Sequence, residues 1–302
     1  MGLAAAAFLA APVFVGLVYS LLAGLGHAGP GTVEGGTGMA RYMSVAEDPA
    51  VWEGTLWTLW VAAVSTGLAM VGAALVAVVF RGAGWASRLG RTLAFLPLPI
   101  PHLAAGVGAL LVLGQSGLLA RIGFHLGWIG TPGDMPALVM DPLGIGLILA
   151  LTWKEIPFLA LVAVSVLETR GQGLENTARS LGAGPAATFF RVTWPLLWRG
   201  MLPAAVAVFA FVAGSYEAAV LLAPSDPLPL PLLTWERYTD VALSRRGDAY
   251  VLALLGLAVS LAAVAVHEWI RRDPDAVPGR GQGPGQGPGL GRGPGPELKG
   301  ER

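Results

Sequence analysis

The sequence predicts an all-α, polytopic membrane protein with about six transmembrane helices. Three observations carry that expectation. Of 302 residues, 54% are hydrophobic and 13% are charged, against about 25% charged in ordinary soluble domains. The apolar residues are gathered into long runs, and a helix needs roughly 20 of them to cross a bilayer. Ten Trp residues suit interfacial anchoring, because an indole puts its ring toward the acyl chains and its N–H at the headgroups.

The first run, about 3–25 (LAAAAFLAAPVFVGLVYSLLAGL), carries no charge. It exceeds the short core of a signal peptide, and no Lys or Arg precedes Arg41, so a retained span is expected. The second run, about 55–80, ends at Phe80. The third, about 92–114, contains PLPIP at 97–101. Pro97, Pro99 and Pro101 each remove a backbone donor, and each ring clashes with the preceding turn. This span therefore begins with irregular backbone, which membrane depth tolerates only against protein or a water-filled cavity. Two readings are open: the segment lines a pathway, or it is a kink at the cytoplasmic end. The fourth, fifth and sixth runs fall at about 143–167, 201–223 and 249–270. After a transmembrane domain over 1–272, residues 273–302 are Gly- and Pro-rich and lack the apolar content to bury a core, so a disordered tail is expected.

Charge sets the orientation. The 81–91 loop has Arg81, Arg88 and Arg91 and no acid. The 168–200 loop has Arg170, Arg179, Arg191 and Arg199 against Glu168 and Glu175, and Arg271 and Arg272 follow the last run. With six spans these segments share one side, and most acids lie on the other. By the positive-inside rule both termini are cytoplasmic.

Composition also excludes chemistry. Formal net charge is zero, which gives no footprint for nucleic acid. With no Cys there is no disulfide, thiolate metal site or Cys nucleophile. His27, His102, His125 and His267 are too scattered to suggest a metal site. The chain has no G-x-x-x-x-G-K-[ST] phosphate loop and no H-E-x-x-H, so neither a resident ATPase of that kind nor a zinc hydrolase is expected, and no catalytic or cofactor-binding residue is assigned.

Charges inside the apolar runs are the candidates for a solute path. Lys154 and Glu155 lie near the middle of the fourth run, and Glu217 lies in the fifth beside Ser215 and Tyr216. A charge at the bilayer centre costs about 2.5–3.5 kcal/mol on insertion scales, so such residues face the bundle or a cavity. A Lys154–Glu217 pair across helices is within reach. The residues serve either a path or gate, or an ion pair that orients the helices.

The stretch LENTARSLGAGPAATFFRVTWPLL, 174–197, is unlike a plain connector. Glu175 and Arg179 stand at i,i+4 with the acid first, which favours a short helix. Gly182 and Gly184 end it, and Pro185 suits the first position of a second helix. Pro195 then marks the passage to the fifth run. A compact helical knob fits a partner's groove; an interfacial amphipathic anchor is the other reading.

This stretch resembles the "EAA" loop of permease subunits of binding-protein-dependent ABC importers. The family Gly corresponds to Gly182, between Leu181 and Ala183, and the Glu-Ala-Ala positions fall on Asn176, Thr177 and Ala178. Two of those three depart from the pattern, and Glu175 stands one place early. FFRVTWPLL, with Pro195, looks like the usual continuation. The resemblance implies a coupling helix seated in a cytoplasmic ABC ATPase dimer that holds ATP-Mg. It also implies a second permease subunit, identical or paralogous, an extracytoplasmic solute-binding protein, and a multi-pass location in the bacterial inner membrane. LTWKEIPFLALV (151–162) and the segment 210–240 look like permeases of the spermidine/putrescine, ferric-iron and thiamine group, with a polyamine-type solute as first choice. The alternative is a self-sufficient secondary transporter or channel, distinguished by independence from a partner ATPase.

Overall fold

The computed structural model describes residues 2–27, 38–82 and 84–272, and every regular element among them is helical. The tail over 273–302 falls outside them. The elements are α1 (Gly2–Gly24), α2 (Met39–Glu47), α3 (Pro49–Val79), α4 (Trp85–Phe95), α5 (His102–Leu113), α6 (Leu118–His125), α7 (Ile145–Val166), α8 (Gln172–Ser180), α9 (Pro185–Thr188), α10 (Trp194–Ala213), α11 (Ala219–Leu222), α12 (Leu230–Thr239) and α13 (Leu243–Arg272). Two π-turns, Leu167–Gly171 and Phe189–Thr193, join α7 to α8 and α9 to α10.

Among the described residues, five helical runs are long and apolar enough to cross a membrane: Pro49–Val79, His102–His125, Ile145–Gly171, Pro185–Ala213 and Leu243–Trp269. The apolar part of α1, Ala10–Gly24, is shorter. At the centre, α3 packs along α7 and α10. The contact is built from small side chains, with Ala62, Ala69, Ala73, Ala160 and Ala163 fully buried. In lipid, apolar surface alone does not drive helices together, so close approach through small residues supplies the packing. Large apolar side chains such as Leu56, Leu75 and Val79 are exposed on the rim, as a lipid-facing surface requires. A second, smaller core joins α2, α12 and α13 through Val45, Leu233 and Leu252. There the backbone of Leu228 passes so near Gly54 that a Cβ at 54 would collide with the Leu228 carbonyl.

Several expected boundaries move. The second span begins at Pro49 rather than about 55, because Asp48 accepts the Ala50 N–H (3.0 Å) as N-cap and Pro49 supplies the first helical φ. The third, expected over 92–114, is two helices, α4 and α5, separated by 96–101. The fifth, expected over 201–223, ends at Ala213; residues 214–218 leave the helix before the short α11. Its helical run starts at Pro185, so the 168–200 loop is helical into the span rather than a separate connector. The sixth, expected over 249–270, extends to Leu243–Arg272. Hydropathy counts apolar side chains, whereas helix ends are set by caps and backbone donors, and α13 carries Arg245, Arg246 and Asp248 within its first two turns.

Candidate functional site

The structure assembles two sites from the residues singled out in the sequence: the loop over 174–197 and the interruption between α4 and α5.

In the loop, α8 ends in a two-bond C-cap. The Ala183 N–H donates to Ala178 O (3.0 Å) and the Gly182 N–H to Arg179 O (2.9 Å). This cap needs a left-handed residue at 182, and Gly182 has φ +87°. Pro185 then opens α9. Pro195 sits at the start of α10 and has no N–H to donate; the preceding π-turn, in which the Trp194 N–H reaches back to Phe189 O, accommodates it inside a continuous helical run. Asn176, Thr177, Leu181 and Gly182 are exposed, Ala178 and Ala183 are half-buried, and Leu181 is 84% exposed at the tip.

Glu175 points the other way and is only 5% exposed. Its carboxylate accepts from Arg81 at two points, Nη1 to Oε2 (2.7 Å) and Nη2 to Oε1 (3.1 Å). The Thr193 hydroxyl donates to Oε1 at 2.6 Å. One carboxylate thus fastens the end of α3, the loop helix α8 and the second π-turn. The Arg81 hydrogen bonds hold its pKa below the ordinary glutamate range, against the opposing effect of burial.

The second site lies where the third span breaks. Lys154 stands nine residues into α7, about 13 Å along the axis at 1.5 Å per residue, well inside a hydrocarbon core of about 30 Å. The break between α4 and α5 packs against this part of α7. In a continuous helix the Leu98 carbonyl would accept from the backbone N–H four residues on; here Lys154 Nζ donates to it instead (3.3 Å). Next in sequence, Glu155 Oε1 accepts from His102 Nε2 at 3.0 Å, the direction a carboxylate acceptor dictates. Lys154 and Glu155 are both buried, at 7% and 8% exposure. The proline segment itself is open on its other side, with Leu98 43% exposed and Pro99 and Pro101 exposed.

Glu217 does not join this cluster. Lys154 makes no ion pair with it among the described residues, and Glu217 is exposed on the non-helical stretch after α10. The reason is the early end of α10: Glu217 is not on a helix face turned toward α7. The two breaks nevertheless meet on α5. The His102 ring lies 4.8 Å from that of Phe211, and a Cβ on Gly106 would rest 3.5 Å from the Ala218 Cα. Ser215 and Tyr216 are half-buried, and Tyr216 lines a cavity of ≈ 610 Å³ with Trp235 and Tyr250.

Sequence reasoning missed Arg81 and Thr193 as partners of Glu175, and His102 as partner of Glu155. For His102 a signal existed in its place directly after PLPIP. Arg81 and Thr193 looked like one loop charge among many and an ordinary Thr. Among the described residues no group of three or more His, Asp or Glu is placed to hold a metal ion.

The chain is thus a helical bundle with spans long and apolar enough to cross a membrane, one of them interrupted, and with a pinned surface loop. Residues 69–274 match the family described as the binding-protein-dependent transport system inner membrane component, and the chain belongs to that family, the permease subunits of ABC importers. It is 31% identical over 232 residues to the molybdenum transport system permease protein ModB of Mycobacterium tuberculosis, covering 75% of this chain and 81% of that one. It is 31% identical over 215 residues to a probable molybdenum ABC transporter permease of Haloferax volcanii, covering 68% and 74%. A probable sulfate permease of Nephroselmis olivacea is 28% identical over 179 residues, 58% of each chain. Among solved structures, a bacterial alginate ABC transporter in complex with its periplasmic protein shares the fold at TM-score 0.68 and 15% identity, covering 86% of this chain and 88% of that one. These relatives are named for molybdenum and sulfate, so the polyamine-type first choice, with its thiamine and ferric-iron alternatives, draws no support from them.

Proposed function

We propose that this permease forms half of the translocation pore of an ATP-driven importer of a small tetrahedral oxyanion of the molybdate or sulfate kind. In this reading the loop over 174–197 couples it to a cytoplasmic ATPase dimer that carries the ATP-Mg. The observation that carries the coupling role is the fastening of Glu175 to Arg81 and Thr193. A loop pinned to two spans transmits a push from its tip as rigid-body motion; an unpinned loop would absorb it. The exposed tip at Leu181 is the part left free to seat in a partner. With the loop in the cytoplasm, both termini are cytoplasmic and the solute-binding protein docks on the opposite face.

The pore role is supported by the open side of 96–101. Exposed non-helical backbone at membrane depth is incompatible with lipid, so this side meets the second permease subunit, identical or paralogous, or lines water. Lys154, Glu155 and His102 then set the shape of the path from behind. The names of the molybdenum and sulfate permeases support the solute class.

The test is co-purification and uptake. The tagged chain, gently crosslinked in its native membrane, is expected to recover an ATPase, and Ala178→Arg with Gly182→Pro is expected to lose it while remaining folded. Vesicles holding the purified complex are expected to take up molybdate or sulfate only with ATP and the binding protein. Gradient-driven uptake by the chain alone would establish the self-sufficient transporter instead, and ATP-dependent uptake of spermidine would restore the polyamine reading.

A further inference from the structure

Behind the loop lies a cavity of ≈ 550 Å³, lined on one side by Arg170, Thr169 and Val166 and on the other by Arg191, Leu196 and Arg199. Both π-turns contribute to its wall: Arg170 belongs to the first and Arg191 to the second. The wide turn of a π-segment is seldom retained except where it positions something.

The charge in this cavity is unbalanced. No acidic side chain lines it, and Arg170, Arg191 and Arg199 have no ion-pair or hydrogen-bond partner among the described residues. The two nearest acids are turned elsewhere. Glu168 lines a separate small cavity with Arg81 and Arg91, and Glu175 is held by Arg81 and Thr193. Three exposed arginines, charged at any physiological pH, line one cavity with no acidic side chain beside them, and that composition suits an anion. Their planar forks match the oxygens of a phosphate group. The remaining wall combines Val166, Val192 and Leu196 with the hydroxyls of Ser165 and Thr169. Trp198, 40% exposed, stands beside Arg199 on α10, and Trp is the side chain enriched at headgroup level. Basic pockets between spans at this level take anionic headgroups.

We propose that this cavity binds a phosphate-type oxyanion, presented either by an anionic lipid headgroup or by a free ion. The full chain, purified with its bound subunits in a neutral detergent and stripped of lipid, is offered phosphatidylglycerol or phosphatidylcholine and examined by native mass spectrometry. Separately, inorganic phosphate and sulfate are titrated while the melting temperature is followed. Retention of phosphatidylglycerol at least tenfold above phosphatidylcholine identifies the lipid source. A saturable rise in melting temperature with phosphate or sulfate identifies the free ion. Either response is expected to fall at least tenfold in Arg170→Gln/Arg191→Gln/Arg199→Gln and to persist in Arg88→Gln, which removes an exposed charge on α4. If the triple variant does not fold, the single Arg191→Gln is read in its place. Failure of the wild-type chain to respond in both arms overturns the proposal, as does an equal loss in Arg88→Gln.

Discussion

Arg81 and Glu175 form a two-pronged ion pair across 94 residues of chain, with Nη1–Oε2 at 2.7 Å and Nη2–Oε1 at 3.1 Å. It makes the loop helix α8 a mechanical extension of α3. Arg81 is 38% exposed and the carboxylate 6%, so the pair is sheltered on one side only. Replacing Glu175 by Gln keeps the shape and removes the charge. That change is expected to cost about 1.5 kcal/mol, the low end of the range for hydrogen bonds to a charged group, because Arg81 is partly exposed to solvent. Solute-stimulated ATP hydrolysis is expected to fall further than the stability loss explains, and comparison of unfolding midpoints with ATPase rates in the reconstituted complex checks this. Wild-type stimulation in a Glu175→Gln complex would remove the bolt from the coupling argument.

The same carboxylate predicts a pH response. Its pKa is lowered in the folded protein by the Arg81 hydrogen bonds. Its contribution to stability is therefore complete above the ordinary glutamate value of about 4.3 and is lost as pH falls through the lowered folded value. Melting temperature against pH is expected to show less acid-side decline in Glu175→Gln than in wild type, with the two curves parallel between about pH 5 and 8. Divergence of the curves in the neutral range would contradict it.

Gly182 has φ +87° in the cap that closes α8. Gly182→Ala places a Cβ in the left-handed region at about 1–2 kcal/mol, although the space around it is open. The expected consequence is faster proteolytic nicking between α8 and α9 and weaker recovery of the partner ATPase. Unchanged nicking would show that the backbone adapts without loss.

At the break between α4 and α5, Lys154→Met removes the donor to Leu98 O and leaves a carbonyl unsatisfied, at about 1–3 kcal/mol. Glu155→Gln preserves an acceptor for His102 and is expected to be milder. Unfolding in matched detergent ranks the two, and the reverse order would place the stabilising role on the Glu155–His102 bond.

Glu217 is exposed and, among the described residues, makes no hydrogen bond or ion pair with the cluster around Lys154. Glu217→Gln is expected to leave stability within about 0.5 kcal/mol, as for surface substitutions generally, and assembly intact, while altering the uptake rate. Uptake at the wild-type rate would take Glu217 out of the solute path.

Much of this was legible in the chain itself. The apolar runs are additive transfer signals and need no partner to be read. The α8 turn was equally plain, because Glu175, Gly182 and Pro185 act on backbone within a few residues of themselves. The Lys154–Glu217 pairing failed because a helix was extended through Gly214, where α10 has already stopped. Asn176 and Thr177, which depart from the family motif, prove to be exposed, while Glu175, one place early, is the buried member.

The sequence by itself determined what depends on residues within a turn of one another or on the summed apolarity of a run: a helical membrane protein, its approximate spans, the loop and its cap. The tertiary structure decided who meets whom. Packing of Ala-lined faces on α3, α7 and α10 sets helix rotation and height. Those two quantities place Arg81 against Glu175, Lys154 against Leu98 and His102 against Glu155. A charged group finds its partner by distance in space, and distance in space is a property of the packed bundle that no local stretch of chain carries.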